Sequence, residues 1–213
     1  MEREEYRRKA IHIGMGIWAF FPLLVTRYSA LVICCIFLLL VIFVFREHRW
    51  KSAFDAMARQ EDYTHGYLMG PLVYILAVMF CVGFYPPYIA AASFAIMAFG
   101  DGFATIIGRN FGSHTYPFSK KSIEGSLGFL VCAFVATVVV LLVLTHFISF
   151  EGLENTISNL AKIGLLGSAC GACVETLPFE EHRERSIVKR AFIDDNFFVP
   201  VVSGFFMTLY VIL

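Results

Sequence analysis

Charge is scarce in this chain: Asp, Glu, Lys and Arg make up only 16% of its 213 residues, against about 25% in an ordinary soluble domain. What charge there is cancels, with 17 acidic and 17 basic residues, so a general attraction to nucleic acid is not indicated. Also lacking are a Ser/Pro-rich linker, a low-complexity tract and a repeat of 20 to 50 residues, which points to one domain over 1–213. Six cysteines are present, all inside apolar runs, and the Cys170–Cys173 pair has no second pair or His partner nearby. A disulfide framework is not implied, and the pair reads as small packing residues. The phosphate-binding pattern GxxxxGK[ST] and the HRD and DFG set of protein kinases are both missing.

Apolar residues fill the space that charge leaves. They are 58% of the chain, its mean hydropathy is +0.71, and the excess over a soluble domain's about 45–50% points to lipid as solvent. Seven runs are candidates for membrane helices, at 11–25, 29–45, 67–84, 86–107, 125–147, 162–178 and 197–213. The first follows MEREEYRRK without a small-residue cleavage site and reads as a retained helix. With seven spans, the N-terminus and the loops after spans 2, 4 and 6 share one side. That side collects fifteen of the 17 cations, and only Arg27 and Lys162 lie opposite. By the positive-inside rule the N-terminus is cytoplasmic and Leu213 is outside. The expected fold is an all-α, polytopic bundle of about seven transmembrane helices. Chain length and the lack of a targeting extension point to a prokaryotic cell membrane, with a homo-oligomer left open.

Between spans 2 and 3, Trp50, Ala53, Phe54, Met57 and Ala58 fall at helical spacing among cations, as in a helix lying flat at the headgroups. Span 4 ends in Gly100, Ala104, Gly108 and Gly112, a small residue every four positions that lets a neighbouring helix approach. Packing does not require Asp101 on the adjacent face.

The remaining charge converges. The expected topology puts Asp101 at the inner end of span 4, Glu124 at the start of span 5, Glu175 about a turn inside span 6, and Asp194 and Asp195 just before span 7. Lys120, Lys121, Lys189 and Arg190 lie among them. Taken singly, these acids have ordinary readings: Glu124 and the Asp pair complement helix dipoles beside the N-caps Ser122 and Asn196, and Glu175 pairs with a cation. Together they match a magnesium-bound polyphosphate, because carboxylates hold a hard cation, lysines neutralise phosphate and glycines admit backbone amides close to it. Phosphoryl or nucleotidyl transfer at the inner face is the chemistry expected from the residues themselves.

The block GDGFATIIGRNFG followed by FSKKSIEGSLG resembles the central motif of the polyprenol kinase family, which includes dolichol, phytol and CTP-dependent diacylglycerol kinases. DDNFFVPVVSG, with Asp195, Asn196, Pro200 and Gly204, is a second match, and RRKAIHIGMG, with Arg8, Lys9, His12 and Gly14, a third. The central block is also similar to CDP-diacylglycerol synthases. The His-Gly-Gly and final Asp-Arg-x-Asp of those enzymes are absent, and the shorter length likewise favours the kinase.

The kinase resemblance implies CTP as co-substrate, magnesium as cofactor and a lipid alcohol as acceptor. It places Asp101 and Glu124 on the metal, with Asp195 completing the metal site or accepting the alcohol's proton. Lys120 and Lys121 contact phosphates, Gly108 and Gly112 give the backbone room, and Ser122 and Asn196 belong to the nucleotide site. Glu175 has a supporting part, and Lys9 and His12 are further candidates. A CDP-lipid synthase and a small transporter are the alternatives. Carboxylates gathered at one face count against transport, which places them at mid-depth on broken helices.

Overall fold

A computed structural model describes residues 2–178 and 194–213. The loop cations Arg183, Arg185, Lys189 and Arg190 lie outside the described residues. The described chain is helical, with one isolated bridge between Thr115 and Ser122.

Helix α1 runs Glu2–Gly14 and passes into a 3-10 stretch, Met15–Phe20, and a short turn, Phe21–Leu24, opened by Pro22. A proline at the first turn starts a helix but cannot continue one, so the run expected as the first span is broken into three pieces. Thr26 caps α2, Arg27–Phe43, by accepting from Ser29 N at 3.2 Å. The interfacial segment forms a single short helix, α3, Lys51–Met57. Trp50 before it is exposed, but Phe54 is fully buried against Val41, Leu68 and Ile75, so α3 is pinned to the bundle. Then come α4, Met69–Phe84, and α5, Pro87–Phe111, which contains a π-helical turn at Ile96–Asp101. Helix α6 spans Ile123–Phe147, α7 Ile157–Glu175 and α8 Asp195–Ile212.

Four helices among the described residues, α5 to α8, are long and apolar enough to cross a membrane, whereas α2 and α4 are apolar but only 17 and 16 residues long. The count of seven spans is therefore not confirmed among the described residues, where the first run changes helix type and two others are short. Helix α5 is central. In its most apolar window 78% of residues are buried, against 39% in α6, α7 and α8, and α6, α7 and α8 pack around it. On α6 the outward residues Leu127, Val131, Val135 and Val139 form an exposed apolar stripe at four-residue spacing, a surface suited to hydrocarbon rather than water.

Close approach depends on the small residues. A Cβ on Gly100 would sit 2.7 Å from the Phe129 ring, and one on Gly125 would sit 3.0 Å from Ala104 O and 3.3 Å from Gly108 Cα. The ladder seen in the sequence is thus the α5–α6 crossing, and it sets Asp101 and the Lys120–Ser122 loop beside one another.

Candidate active site

A cavity of about 450 Å³ opens where α5, α6, α7 and α8 meet, lined by Asp101, Glu175, Asp195, Lys9, Lys121 and Arg59 among others. The π-helical turn ends at Asp101 and inserts an extra residue into the helix, which gives the side chains beyond it a new direction. Asp101 is 5% exposed, Glu175 6% and Asp195 9%, and one carboxylate oxygen from each lies within 4.8 Å of the other two.

Each acid is held by cations. Lys9 Nζ donates to both Asp101 oxygens, at 2.8 and 2.7 Å, and His12 Nε2 lies 3.3 Å from Asp101 Oδ2. Lys121 Nζ is 2.8 Å from Glu175 Oε1 and 3.5 Å from Asp195 Oδ2, and it also donates to the Glu175 carbonyl. Burial by itself would lower the Lys121 ammonium, but the charges of Glu175 and Asp195 outweigh it and hold its pKa above the ordinary lysine value. Arg59 Nη1 lies 3.4 Å from Asp194 Oδ2. Asp194 is the N-cap of α8 and accepts from Asn196 N at 2.9 Å. Burial pushes its carboxyl up to about 6, opposed by Arg59 and reinforced by the Asp195 charge.

Of the residues expected from sequence, Asp101, Asp195, Lys120, Lys121, Ser122, Gly108 and Gly112 all line this cavity. Lys9 lines it too, whereas His12 faces an adjoining groove. Ser122 is buried and caps α6 by accepting from Gly125 N at 3.1 Å, so its hydroxyl serves the helix start. Glu124 does not join Asp101 and Asp195. It is held by His114, whose Nδ1 lies 2.7 Å from Glu124 Oε1, and it is absent from the cavity wall. Helical geometry explains this: Ser122 and Gly125 face α5, and Glu124, between them in sequence, points aside. Glu175 occupies the place expected of Glu124. Asn196 likewise lines the groove rather than this cavity, with its backbone N–H on the Asp194 and Asp195 carboxylates.

Arg8 and Arg59 also line the cavity, although neither was expected to take part in the chemistry. Arg59 lies in the segment read as a headgroup anchor, and nothing in its local sequence distinguishes it from the neighbouring cations. Both cysteines of the CxxC pair are free, as are the other four.

The carboxylates fit a divalent metal. They offer three oxygen donors from three helices, and Glu175 Oε2 is buried with no hydrogen-bond partner among the described residues. A buried carboxylate oxygen left unpaired is costly, and coordination of a hard cation would satisfy it.

Comparison with known proteins agrees with the motif. The chain is 28% identical over 207 residues to the chloroplastic farnesol kinase of Arabidopsis thaliana, covering 92% of this chain and 62% of that one. Its relatives are farnesol and phytol kinases. A probable chloroplastic phytol kinase of Zea mays is 28% identical over 92% of this chain and 63% of its own length. The chloroplastic phytol kinase 1 of Arabidopsis thaliana is 31% identical over 144 residues, 64% of this chain and 41% of its own. The chain thus spans a little over three-fifths of the length of the first two relatives. No family model matches, and no solved structure is a significant match. The resemblance to polyprenol kinases is upheld by these relatives. They are plant proteins named as chloroplastic, and the expectation of a prokaryotic cell membrane finds no support among them.

Proposed function

We propose that the chain is a CTP-dependent lipid alcohol kinase, transferring the terminal phosphate of CTP to a prenol-type alcohol at the inner membrane face and releasing CDP. The observation that carries this reading is the buried Asp101–Glu175–Asp195 cluster at the wall of a cation-rich cavity, in a chain whose relatives are named as farnesol and phytol kinases.

Asp101, Glu175 and Asp195 would hold magnesium, which would supply positive charge to offset that of the phosphates. Lys9 and Lys121 now neutralise the same carboxylates. Once those acids are engaged elsewhere, the two ammonium groups are free to turn to the phosphates, with Lys120, Arg8 and Arg59 around the rim. Gly108, Gly112 and Gly125 keep the wall flat enough for a triphosphate to lie against the backbone. In the transfer, the alcohol oxygen forms a bond to the terminal phosphorus as the bond to the bridging oxygen of CDP breaks. The hydroxyl proton passes to a cluster oxygen that the metal does not take, and we assign this to the second oxygen of Asp101, which borders both the cavity and the groove beside it. Positioning and charge stabilisation supply most of the acceleration in such reactions.

The test is to supply the purified full chain with magnesium, gamma-labelled CTP and, separately, geranylgeraniol, phytol, a longer polyprenol and diacylglycerol. Label in the lipid with CDP in solution is the expected result. Label in pyrophosphate, with CMP transferred to added phosphatidate, would move the chain to the CDP-lipid synthases.

A further inference from the structure

A second cavity, of about 180 Å³, adjoins the first and differs from it in chemistry. Its body is apolar, walled by Met15, Phe37, Val41, Phe45, Tyr74 and Ile75 from the N-terminal segment, α2 and α4. Its inner end is polar, and four residues there, Arg8, Lys9, Arg59 and Asp101, also line the first cavity. The two spaces therefore meet across one wall. At the other end, Ile11 and Phe37 line the groove and are each 38% exposed. Phe37 shares α2 with the exposed apolar residues Val32, Ile36, Leu39 and Phe43, a surface suited to hydrocarbon, onto which the groove opens at that residue.

We propose that this groove is the acceptor site and that it takes the chain of a single-tailed lipid alcohol, with the hydroxyl at the wall shared with the first cavity. The proposal rests on the kinase reading and adds to it a place and a selectivity. An amphiphile with one polar end matches a groove with one polar end. The three cations at that end gain little from a neutral alcohol, but they suit the phosphate that the hydroxyl becomes. The whole groove holds only about 180 Å³ beside the large side chains Phe37, Phe45 and Tyr74, too little for two acyl tails, so a lipid with two tails leaves one outside. Gly70 lies at the start of α4 on the groove wall. The nearest atoms to a Cβ there belong to the Arg59 guanidinium, at 3.7–3.9 Å, an ordinary contact, so the groove wall has room for a side chain to start at this position.

The experiment uses the full chain in detergent and geranylgeraniol carrying a diazirine at the far end of its tail, without nucleotide. The expected result is saturable labelling on the Ile11–Met15 and Phe37–Phe45 stretches, displaced by geranylgeraniol at least tenfold more effectively than by diacylglycerol. Gly70→Leu should reduce that labelling at least fivefold. In turnover it should raise the KM for the alcohol by a larger factor than the KM for the nucleotide, whose cavity shares Arg59 with the groove. Labelling spread without saturation over the outward stripe of α6, equal displacement by diacylglycerol, or labelling unchanged by Gly70→Leu would each overturn the proposal. Because labelling needs no turnover, a protein that labels in the groove but transfers no phosphate loses only the kinase reading. One that transfers phosphate but labels elsewhere loses only the groove.

Discussion

At the scale of single residues, Glu124 and Glu175 make opposite predictions although both are acidic residues at helix ends. Glu175 contributes an unpaired buried oxygen to the carboxylate cluster, whereas Glu124 is bonded to His114 away from it. Asp101→Asn, Glu175→Gln and Asp195→Asn should each lower kcat by about a hundredfold or more, the scale of losing one preorganised electrostatic group. Glu124→Gln should cost less than about tenfold, and initial rates with labelled CTP check all four. The sequence displayed Asp101, Asp195 and Lys121 because each sits in a dense motif, but not the choice between the two glutamates. That choice depends on which way a helix start is turned, and spacing along the chain does not carry it. Asp62 is a residue of another kind, buried at the start of the short helical turn Asp62–His65 before α4, where it accepts from Arg59 N at 2.7 Å and Met69 N at 3.1 Å. Burial raises its pKa above the ordinary aspartate value, so the folded chain holds this proton more tightly than the unfolded one. That contribution to stability is present at low pH and is lost as pH rises through the folded pKa. The Tm of the wild type relative to Asp62→Asn should accordingly fall as pH rises above the ordinary aspartate range, as followed by thermal unfolding in detergent. A wild-type Tm that instead climbs relative to the variant with pH would reverse the assignment.

At the scale of helices, the apolar runs marked α2 and α4 to α8 within a few residues, since hydrophobic length survives folding unchanged. The first run is helical but changes type at Met15–Phe20 and again at Phe21–Leu24, and average hydropathy does not register a change of helix type. The π-helical turn before Asp101 was likewise invisible, because no residue type specifies it. The small-residue ladder was legible, and its consequence can be tested at Gly125. The nearest atoms to a Cβ there include Ala104 O at 3.0 Å and Gly108 Cα at 3.3 Å, backbone that cannot step aside as a flexible side chain would. Gly125→Ala gains about 0.5–1 kcal/mol of helix propensity but overpacks the crossing at about 1–3 kcal/mol. The net effect should be a lower Tm. Activity should fall further than stability does, because the α6 start carries Lys121 and Ser122 to the cavity. An unchanged Tm with full activity would mean that the crossing is looser than its geometry.

On the scale of the whole molecule, residues 9, 101, 121, 175 and 195 come from five separate segments and meet at one point. Their convergence is a property of the bundle, and only the matching inner-end positions of the acids hinted at it in the sequence. Three carboxylates meet at the junction of α5, α7 and α8, where Lys9 and Lys121 hold them in place of a metal. A divalent cation bound there would join those helices and stabilise the folded chain by mass action, about 2.7 kcal/mol at a hundred times its Kd. For a chain of this size that corresponds to a rise of about 5–10 °C in Tm. Magnesium with a non-hydrolysable CTP analogue should give such a rise in the wild type, and excess chelator should remove it. Glu175→Gln takes away one donor while keeping the side-chain volume, so the same additions should shift its Tm by less than half as much. An equal shift in that variant would place the metal somewhere other than the three-helix junction, and with it the phosphates that the lysines are poised to meet.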